Sequence, residues 1–412
     1  MSSTAAVSAS IVQSTRARVG LAVILFVTLL ISYFDRVNVS VLVADPTFLA
    51  SMGIAGQPVK MGMLMSLFLF AYGIGNIVLT PIGNWLGPRK AMALSILLWA
   101  VSVALGGLAG SFGMLLATRV LLGLGEGLHW PMQSTFVKNW FPPSERARAN
   151  SAWLLGITVG PMIAIPMITA VVAGAGWRAS FFVLVLLSLI PLTLVWFFTS
   201  DEPRGSRFAN AAEVEYIEAG LRAEQQGAPS GQLSMAFLCS AGMFWGVLAW
   251  LPAYLKTARG FSWAQMGSLA TLPYVAGVVT IIIAGVVADR MQRNKAILPV
   301  IALFGAAAGI WVSVHAASNT ASALAITAAI ASLGIGLATY WTMMQAIVAK
   351  SSVGVAAGVM NGVASLGSAG IPALVGYLIA SNGGSFTAGL SFLVALGVVG
   401  GLCMLVLFIA RR

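Results

Sequence analysis

Apolar runs of roughly 20 residues recur along the whole chain and are separated by short polar turns. A helix of this length spans the hydrocarbon core of a bilayer, so each run predicts one membrane-spanning helix. The first six predicted spans cover about Val19–Val43, Gly62–Asn84, Ala91–Leu108, Phe112–Val137, Ala149–Val172 and Ala179–Phe198. The second six cover about Leu233–Leu255, Met266–Ala288, Ala296–Val314, Ser322–Ala349, Val353–Ala380 and Thr387–Ala410. The first span is followed by many others, so we interpret it as a true span and not as a signal peptide.

One long polar segment, Ser200–Gly231, lies between the sixth and seventh spans and holds six of the eleven acidic residues. Within it, the stretch AAEVEYIEAGLRAEQQ predicts a short amphipathic surface helix. We therefore divide the chain into an N-terminal six-helix half (1–199), a linker (200–232) and a C-terminal six-helix half (233–412).

The two halves look like repeats of each other. Five positions recur at an offset of 211 residues: Gly123, Gly125, Trp130, Asn150 and Gly156 return as Gly334, Gly336, Trp341, Asn361 and Gly367. Parallel six-span repeats joined by a central loop are typical of alternating-access carriers. The predicted fold class is an all-α integral membrane protein with twelve transmembrane helices in two pseudo-symmetric halves.

Composition and charge agree with a membrane protein. The chain is 59% hydrophobic and 8% charged, whereas soluble domains carry about 25% charged residues. The net charge of +11 comes from basic residues scattered between spans, which argues against a nucleic-acid partner. Sixteen Lys and Arg lie on the side that holds both termini and four on the other. The positive-inside rule thus predicts cytoplasmic termini and linker, in a bacterial inner membrane. Cys239 and Cys403 lie in apolar runs and indicate neither a disulfide nor a metal site.

Only two acids, Asp35 and Glu126, lie deep inside predicted spans. Arg119 and Glu126 are seven residues apart and share one helical face. An ionisable group inside a membrane is costly and marks function by default. Two interpretations remain open. At least one acid gains and loses a proton during transport, or each acid only neutralises a neighbour, Asp35 with Arg119 or Arg36 and Glu126 with Arg119.

Arg36 follows Asp35 directly, so the two side chains diverge by about 100° on a helix. The planar guanidinium binds a carboxylate through two donors, which suits an organic anion, although a purely structural salt bridge is the alternative. His129 either titrates during transport or remains a neutral hydrogen-bonding residue.

Several stretches resemble the major facilitator superfamily over essentially the whole chain. ADRMQRNK (288–295) is similar to the second copy of its signature G-x-x-x-D-R-x-G-R-R. The first copy departs, because Asn84 replaces the usual aspartate and Thr80 the first glycine. YFDRVNVSV (33–41) and RVLLGLGEGLHWPMQSTFVKNWFPPSERARA (119–149) resemble the anion:cation symporter family, which includes galactonate-type sugar-acid symporters, sialin and vesicular glutamate transporters.

The resemblance implies roles for individual residues. It implies that Arg36 anchors the substrate carboxylate and that Arg119 exchanges partners with the proton-coupling acids Asp35 and Glu126. It also implies that Tyr33, Tyr72, Trp341 and Asn361 are on the substrate side, with packing as the alternative for Tyr72 and Trp341. We expect a cytoplasmic gate at Glu145 and Arg146, in the stretch PPSERAR, and at Asp289 and Arg290; for PPSERAR the alternative is a simple basic loop.

The sequence therefore predicts a proton-coupled symporter that imports a small organic carboxylate as a functional monomer in the lipid bilayer. No cofactor is expected, and the proton is the coupling ion. An organic-anion exchanger of the same fold, without proton coupling, is the alternative. We find no nucleophile–base pair, metal-ligand cluster or nucleotide loop that would favour an enzyme. The seventh span, FWGVLAWLPAYL, has few polar groups and leaves room for a smaller or more apolar carboxylate than a sugar acid, including an aromatic acid.

Overall fold

The structure is a computed structural model that describes residues 14–43, 45–55, 57–222, 231–261, 263–291 and 294–410. Within these ranges it contains helices and no strands. The helices before the central polar segment are α1 (Ala17–Leu42), α2 (Pro46–Ser51), α3 (Pro58–Val78), α4 (Thr80–Leu86), α5 (Pro88–Gly107), α6 (Phe112–Gly127), α7 (His129–Trp140), α8 (Arg146–Leu154), α9 (Gly156–Ala175) and α10 (Trp177–Phe198). The remaining helices are α11 (Ala211–Arg222), α12 (Gly231–Ala253), α13 (Trp263–Arg290), α14 (Ile297–His315), α15 (Asn319–Ile347), α16 (Val353–Ser381) and α17 (Phe386–Ala410).

The predicted spans correspond to these helices. Eleven helical segments of the described chain are long and apolar enough to cross a membrane. The predicted fourth span is divided at Leu128 into α6 and α7, which are 16 and 12 residues long and individually too short to cross. Leu128 itself keeps helical backbone angles, φ −78° and ψ −23°, so the interruption is a single residue. The all-helical membrane fold predicted from the sequence is confirmed.

The internal repeat is visible in the packing of glycines. A Cβ atom on Gly123 of α6 would lie 2.5 Å from the backbone oxygen of Phe68 in α3. A Cβ atom on the matching Gly334 of α15 would lie 2.5 Å from Thr280 Oγ1 in α13. The same helix pair is therefore in close contact in each half, α6 with α3 and α15 with α13, and both contacts depend on a residue without a side chain.

The two halves meet through matching amides. Asn150 of α8 donates hydrogen bonds to Thr342 Oγ1 and Gln345 Oε1 of α15, at 3.1 and 2.9 Å. Its repeat partner, Asn361 of α16, donates to Tyr72 Oη and Asn76 Oδ1 of α3, at 2.8 and 3.0 Å. Each amide thus bonds to the opposite half, and the cavity described next lies between the two halves.

Candidate functional site

A cavity of about 110 Å³ lies in the middle of the bundle between the two halves. Its walls come from α1, α3, α7 and α9 of the first half and from α12, α13, α15 and α16 of the second. Clefts that combine apolar walls with a few polar groups are typical sites for small ligands.

Arg36 is the one charged side chain among the described residues that line this cavity. Its guanidinium carbon lies 4.8 Å from the ring centroids of both Tyr33 and Tyr72, which also line the cavity. Phe68 adds a third ring at 5.4 Å. These aromatic faces stabilise a cation with few water neighbours and fix the position of the guanidinium. Tyr33, Arg36 and Tyr72, which were predicted to lie on the substrate side, are therefore neighbours at the cavity.

Arg36 forms an ion pair with Glu126 of α6. Its Nε and Nη2 both donate to Glu126 Oε2, at 2.9 and 2.6 Å, and both side chains are at least nine-tenths buried. Glu126 Oε1 has no hydrogen-bonding partner in the described part of the chain. The expected partner was Arg119. Seven residues of helix separate Arg119 and Glu126 by about 10 Å along the axis, so a shared face does not bring their charged groups together.

Asp35 and Arg119 lie behind the cavity wall, where Asp35 is 1% exposed and Arg119 3% exposed. Neither oxygen of Asp35 has a hydrogen-bonding partner among the described residues, and the same holds for Arg119 Nε. The expected neutralising contact of Asp35 with Arg119 or Arg36 is not formed at ion-pair distance. The site therefore contains a buried carboxyl group that no direct partner stabilises, which is unusual for an ionised acid.

His129, the first residue of α7, is fully buried and does not line the cavity. Its Nε2 lies 3.1 Å from Gln133 Nε2, one turn further along the helix, and its ring packs edge-on against Trp99 at 5.6 Å. Nδ1 has no partner among the described residues. A contact with an amide of its own helix agrees with the alternative of a neutral hydrogen-bonding histidine.

Of the two predicted substrate-side residues in the second half, the structure brings only Asn361 to the cavity. Trp341 is fully buried and lies outside the lining. Its ring packs against Trp130, Trp153 and Phe237 at centroid distances of 5.6, 5.9 and 5.5 Å. Its repeat partner Trp130 lines the cavity instead, because it lies between Trp341 and the open space. The expected substrate-side role of Trp341 is replaced by packing behind Trp130.

Sequence reasoning missed the aromatic residues of α12 as lining residues. Phe237, Phe244 and Trp245 all face the cavity. The sequence signal for this wall was the stretch FWGVLAW, which contains few polar residues. No group of three or more His, Cys, Asp or Glu side chains that could hold a metal ion occurs among the described residues.

Asp289, one of four predicted gate residues, connects the two halves at the end of the bundle that carries the central segment. Its carboxylate accepts hydrogen bonds from the backbone N–H groups of Ala147 and Arg148, at 2.8 and 3.0 Å, and from Arg148 Nε at 2.7 Å. These N–H groups belong to the first turn of α8, where the helix dipole favours a negative charge. Asp289 of α13 thus binds the start of a helix in the opposite half.

More hydrogen bonds join the halves at this end. Gln345 Nε2 donates to Ser134 Oγ at 2.8 Å, and these are equivalent positions in the two repeats. Lys138 Nζ donates to the backbone oxygen of Gln345 at 2.5 Å. Asn84, which replaces the aspartate of the first signature copy, donates to the backbone oxygen of Ser351 just before α16, at 3.2 Å. Together with Asp289 these contacts hold the linker end of the bundle closed.

The other three predicted gate residues are Glu145, Arg146 and Arg290. Glu145 accepts from Arg18 Nε of α1 at 2.8 Å and from Tyr216 Oη of α11 at 3.0 Å. Burial alone raises the pKa of Glu145, but the hydrogen bonds from Arg18 and Tyr216 outweigh it and lower the pKa below its ordinary value. Arg146 is fully buried and donates to the backbone oxygen of Phe141 at 3.3 Å. Arg290 is exposed at the end of α13.

The helix predicted on the surface of the central segment, α11, also contacts the bundle through the carboxylate of Glu213. Glu213 is fully buried and accepts from the backbone N–H groups of Ala17 and Arg18 at the start of α1, at 2.9 and 3.2 Å. Arg18 Nη1 adds an ion pair with Glu213 at 2.9 Å. Since Arg18 also binds Glu145, α11, α1 and the loop before α8 form one connected unit.

Comparison with known proteins identifies the family. The model described as Major Facilitator Superfamily matches residues 25–372. A probable sulfoacetate transporter of Cupriavidus necator is 32% identical over 378 residues, covering 86% of this chain and 85% of that relative. The D-galactonate transporter of Escherichia coli is 26% identical and covers 93% and 94%, respectively. A hexuronate transporter of Bacillus subtilis is also 26% identical and covers 92% and 94%.

Solved structures agree on the fold. A proton:xylose symporter superposes with a TM-score of 0.77 over 96% of both chains, at 16% identity. The fucose:proton symporter of E. coli gives 0.71 over 96% of this chain and 98% of its own, at 17% identity. With a matching family model, transporter relatives along most of its length and this fold, the chain belongs to the major facilitator superfamily and is a membrane-spanning transporter, not an enzyme.

Proposed function

We propose that the protein imports a small organic carboxylate together with protons by alternating access between its two halves. In this proposal it acts in the bacterial cytoplasmic membrane with both termini and the linker in the cytoplasm, as the positive-inside rule predicts. The relatives named above are a probable sulfoacetate transporter, a D-galactonate transporter and a hexuronate transporter, and the compounds in these names are all organic anions.

The observation that carries the proposal is the ion pair between Arg36 and Glu126. Arg36 is the cation that the described lining offers to an anion, and its Nε and Nη2 are both used by Glu126 Oε2. A substrate carboxylate that binds Arg36 through two donors must therefore compete with Glu126. A proton on Glu126 removes the competing charge, so protonation and substrate binding favour each other.

Asp35 supports a second protonation step. An ionised carboxylate without a partner is costly in an apolar interior, and a proton removes that cost. The family resemblance implies that Arg119 exchanges partners with the acids. Arg119 is also buried, and its Nε has no partner in the described chain. When Asp35 loses its proton, Arg119 is the residue that we expect to approach it.

The closed end of the bundle supports a direction of entry. Asp289, Gln345 and Lys138 take part in hydrogen bonds that join the halves at the linker end. We therefore expect the substrate to enter the cavity from the opposite end, which is the outside in the proposed orientation. Breaking these contacts while the far end closes would expose the substrate to the cytoplasm, as alternating access requires.

Uptake into proteoliposomes tests the proposal. A panel of labelled carboxylates is offered with and without an inside-alkaline pH gradient, and empty liposomes and Arg36→Ala protein serve as controls. The proposal predicts that the gradient drives at least one carboxylate above its equilibrium concentration. Uptake that needs a counter-anion inside and ignores the gradient would show exchange and overturn proton coupling. No uptake or binding of any organic anion would overturn the proposal as a whole.

A further inference from the structure

We infer, on the basis of the proposed function, that the cavity selects a monocarboxylate with an aromatic body over polyhydroxylated acids and dianions. The inference follows from how the polar and apolar groups divide between the two halves. Arg36, Tyr33 and Tyr72 come from the first half, whereas the second half contributes Phe237, Phe244 and Trp245. A ligand that uses both sides has a charged head and an apolar body.

Several hydroxyl and amide groups of the lining already have partners within the protein. Ser365 Oγ donates to the backbone oxygen of Asn361 at 2.7 Å, and Thr158 Oγ1 donates to that of Leu155 at 3.0 Å. The Asn361 amide nitrogen donates to Tyr72 and to Asn76. Most of the polar groups that remain in the described lining are carried by aromatic rings: the hydroxyls of Tyr33 and Tyr274 and the indole Nε1 of Trp130, which has no hydrogen-bonding partner in the described chain.

Polar groups that are carried mainly by aromatic rings disfavour a polyhydroxylated substrate. A buried hydroxyl that leaves water without a new hydrogen bond weakens binding, and a sugar acid carries several of them. A ligand is strongly disfavoured when its binding leaves buried polar groups without partners, whereas an apolar ring needs no hydrogen bonds. The aliphatic residues Ile330, Leu333 and Leu337 of α15 complete a wall that suits a ring and not a row of hydroxyls.

Aromatic walls add a preference for an aromatic ring. Phe244 and Trp245 lie edge-to-face at a centroid distance of 5.6 Å, and Phe237 continues the surface toward Trp341. Aromatic pairs in such offset or edge-to-face arrangements stabilise each other beyond the area that they bury. A phenyl ring between these residues gains this contribution, and an acyclic polyol does not.

The charge count favours one negative charge. Arg36 is the one charged side chain among the described lining residues. A dianion such as a dicarboxylate would bury a second charge without a cation to pair with it, and that cost is large in an apolar cavity. The expected ligand therefore carries a single carboxylate, which binds Arg36 after Glu126 releases it.

Equilibrium binding to the full-length protein in lipid nanodiscs tests this inference. We would titrate phenylacetate, 3-phenylpropionate, D-gluconate and D-glucarate at one pH and ionic strength. We expect at least one of the two aromatic monocarboxylates to bind at least tenfold more tightly than either sugar acid. Equal or tighter binding of D-gluconate or D-glucarate would overturn the inference and leave the proposed transport of organic anions intact. If none of these and no other organic anion binds, the proposed function itself fails.

Variants of Phe244 test the aromatic wall. Phe244→Ala should weaken binding of the preferred aromatic acid by about fivefold to tenfold, and Phe244→Leu, which keeps the apolar volume, by less. Phe70→Ala is the matched control, because Phe70 lies in α3 with 54% of its surface exposed and does not line the cavity. Unchanged affinity in Phe244→Ala, or an equal loss in Phe70→Ala, would contradict the assignment of this wall.

Discussion

Arg36 donates from Nε and Nη2 to a single oxygen of Glu126, at 2.9 and 2.6 Å, while the second oxygen of Glu126 has no partner in the described chain. This geometry joins the cation that faces the cavity to an acid that does not face it. A ligand that binds Arg36 thereby changes the surroundings of Glu126, and a proton on Glu126 changes the availability of Arg36. Protonation of Glu126 and ligand binding are therefore coupled, because both involve the guanidinium of Arg36.

Arg36→Lys should weaken substrate binding by about tenfold to a hundredfold, because lysine keeps the charge but not the two parallel donors. Binding of a labelled carboxylate to the purified protein measures the effect. Arg178→Lys is the control, since Arg178 is exposed at the start of α10 and lies over the Trp177 ring at 4.1 Å. Wild-type affinity in Arg36→Lys would show that the guanidinium does not bind the substrate.

Asp289→Asn should open the linker end of the bundle. The variant loses the negative charge that binds the first turn of α8, a contribution of about 1–2 kcal/mol, or five- to thirtyfold in the population of the closed state. Spin labels at the exposed residues Ser144 and Ser352, in a background without the native cysteines, report the distance between the halves. Glu218→Gln, which removes a half-buried acid that pairs with Arg204, is the control. An unchanged distance distribution would argue that the contact between Asp289 and α8 does not hold the halves together.

Asn84→Asp should act in the opposite direction. Asn84 occupies the signature position of the first half and bonds to Ser351 just before α16, but without a charge. An aspartate there would interact with the start of α16 as Asp289 does with α8, and favour the closed linker end by about two- to fivefold. The same pair of spin labels measures this change in the population of the closed state. A shift toward the open state would show that the two signature positions are not equivalent.

Glu145→Gln should lower the free energy of unfolding at neutral pH by about 0.5–1 kcal/mol, because Arg18 and Tyr216 bind the ionised carboxylate. The pKa of Glu145 is held below its ordinary value of 4.5, so its stabilisation is present above that value and is lost as the pH falls through the lowered pKa. Thermal unfolding of the two proteins across pH measures the difference. A variant that is as stable as the wild type at neutral pH would contradict this role.

Patterns along the chain predicted the helices and one side of the cavity. Runs of apolar residues predicted the spans within a few residues, since length and hydrophobicity decide membrane insertion. Tyr33 and Arg36, three residues apart in α1, were predicted as cavity residues, and both line it. The division at Leu128 was not predicted, because the sequence from Phe112 to Val137 was interpreted as one span and Leu128 keeps helical backbone angles.

Pairing between helices was harder to predict than the helices themselves. Helical periodicity states which residues share a face but not how two helices are rotated against each other, so the partner of Glu126 was expected to be Arg119 and is Arg36. The family resemblance implied that Trp341 is on the substrate side, whereas its ring packs against Trp130 at 5.6 Å and lies outside the described lining. The burial of Glu213 likewise depends on where α11 meets α1.

Glu126→Gln tests the central claim most directly, because glutamine keeps the shape of the protonated acid and cannot ionise. Proteoliposomes with this variant are assayed both for exchange of labelled substrate against unlabelled substrate and for accumulation driven by an inside-alkaline gradient, with Glu218→Gln as the control. We predict that exchange persists and that accumulation is lost. Accumulation at the wild-type level would show that Glu126 does not couple the proton to the substrate.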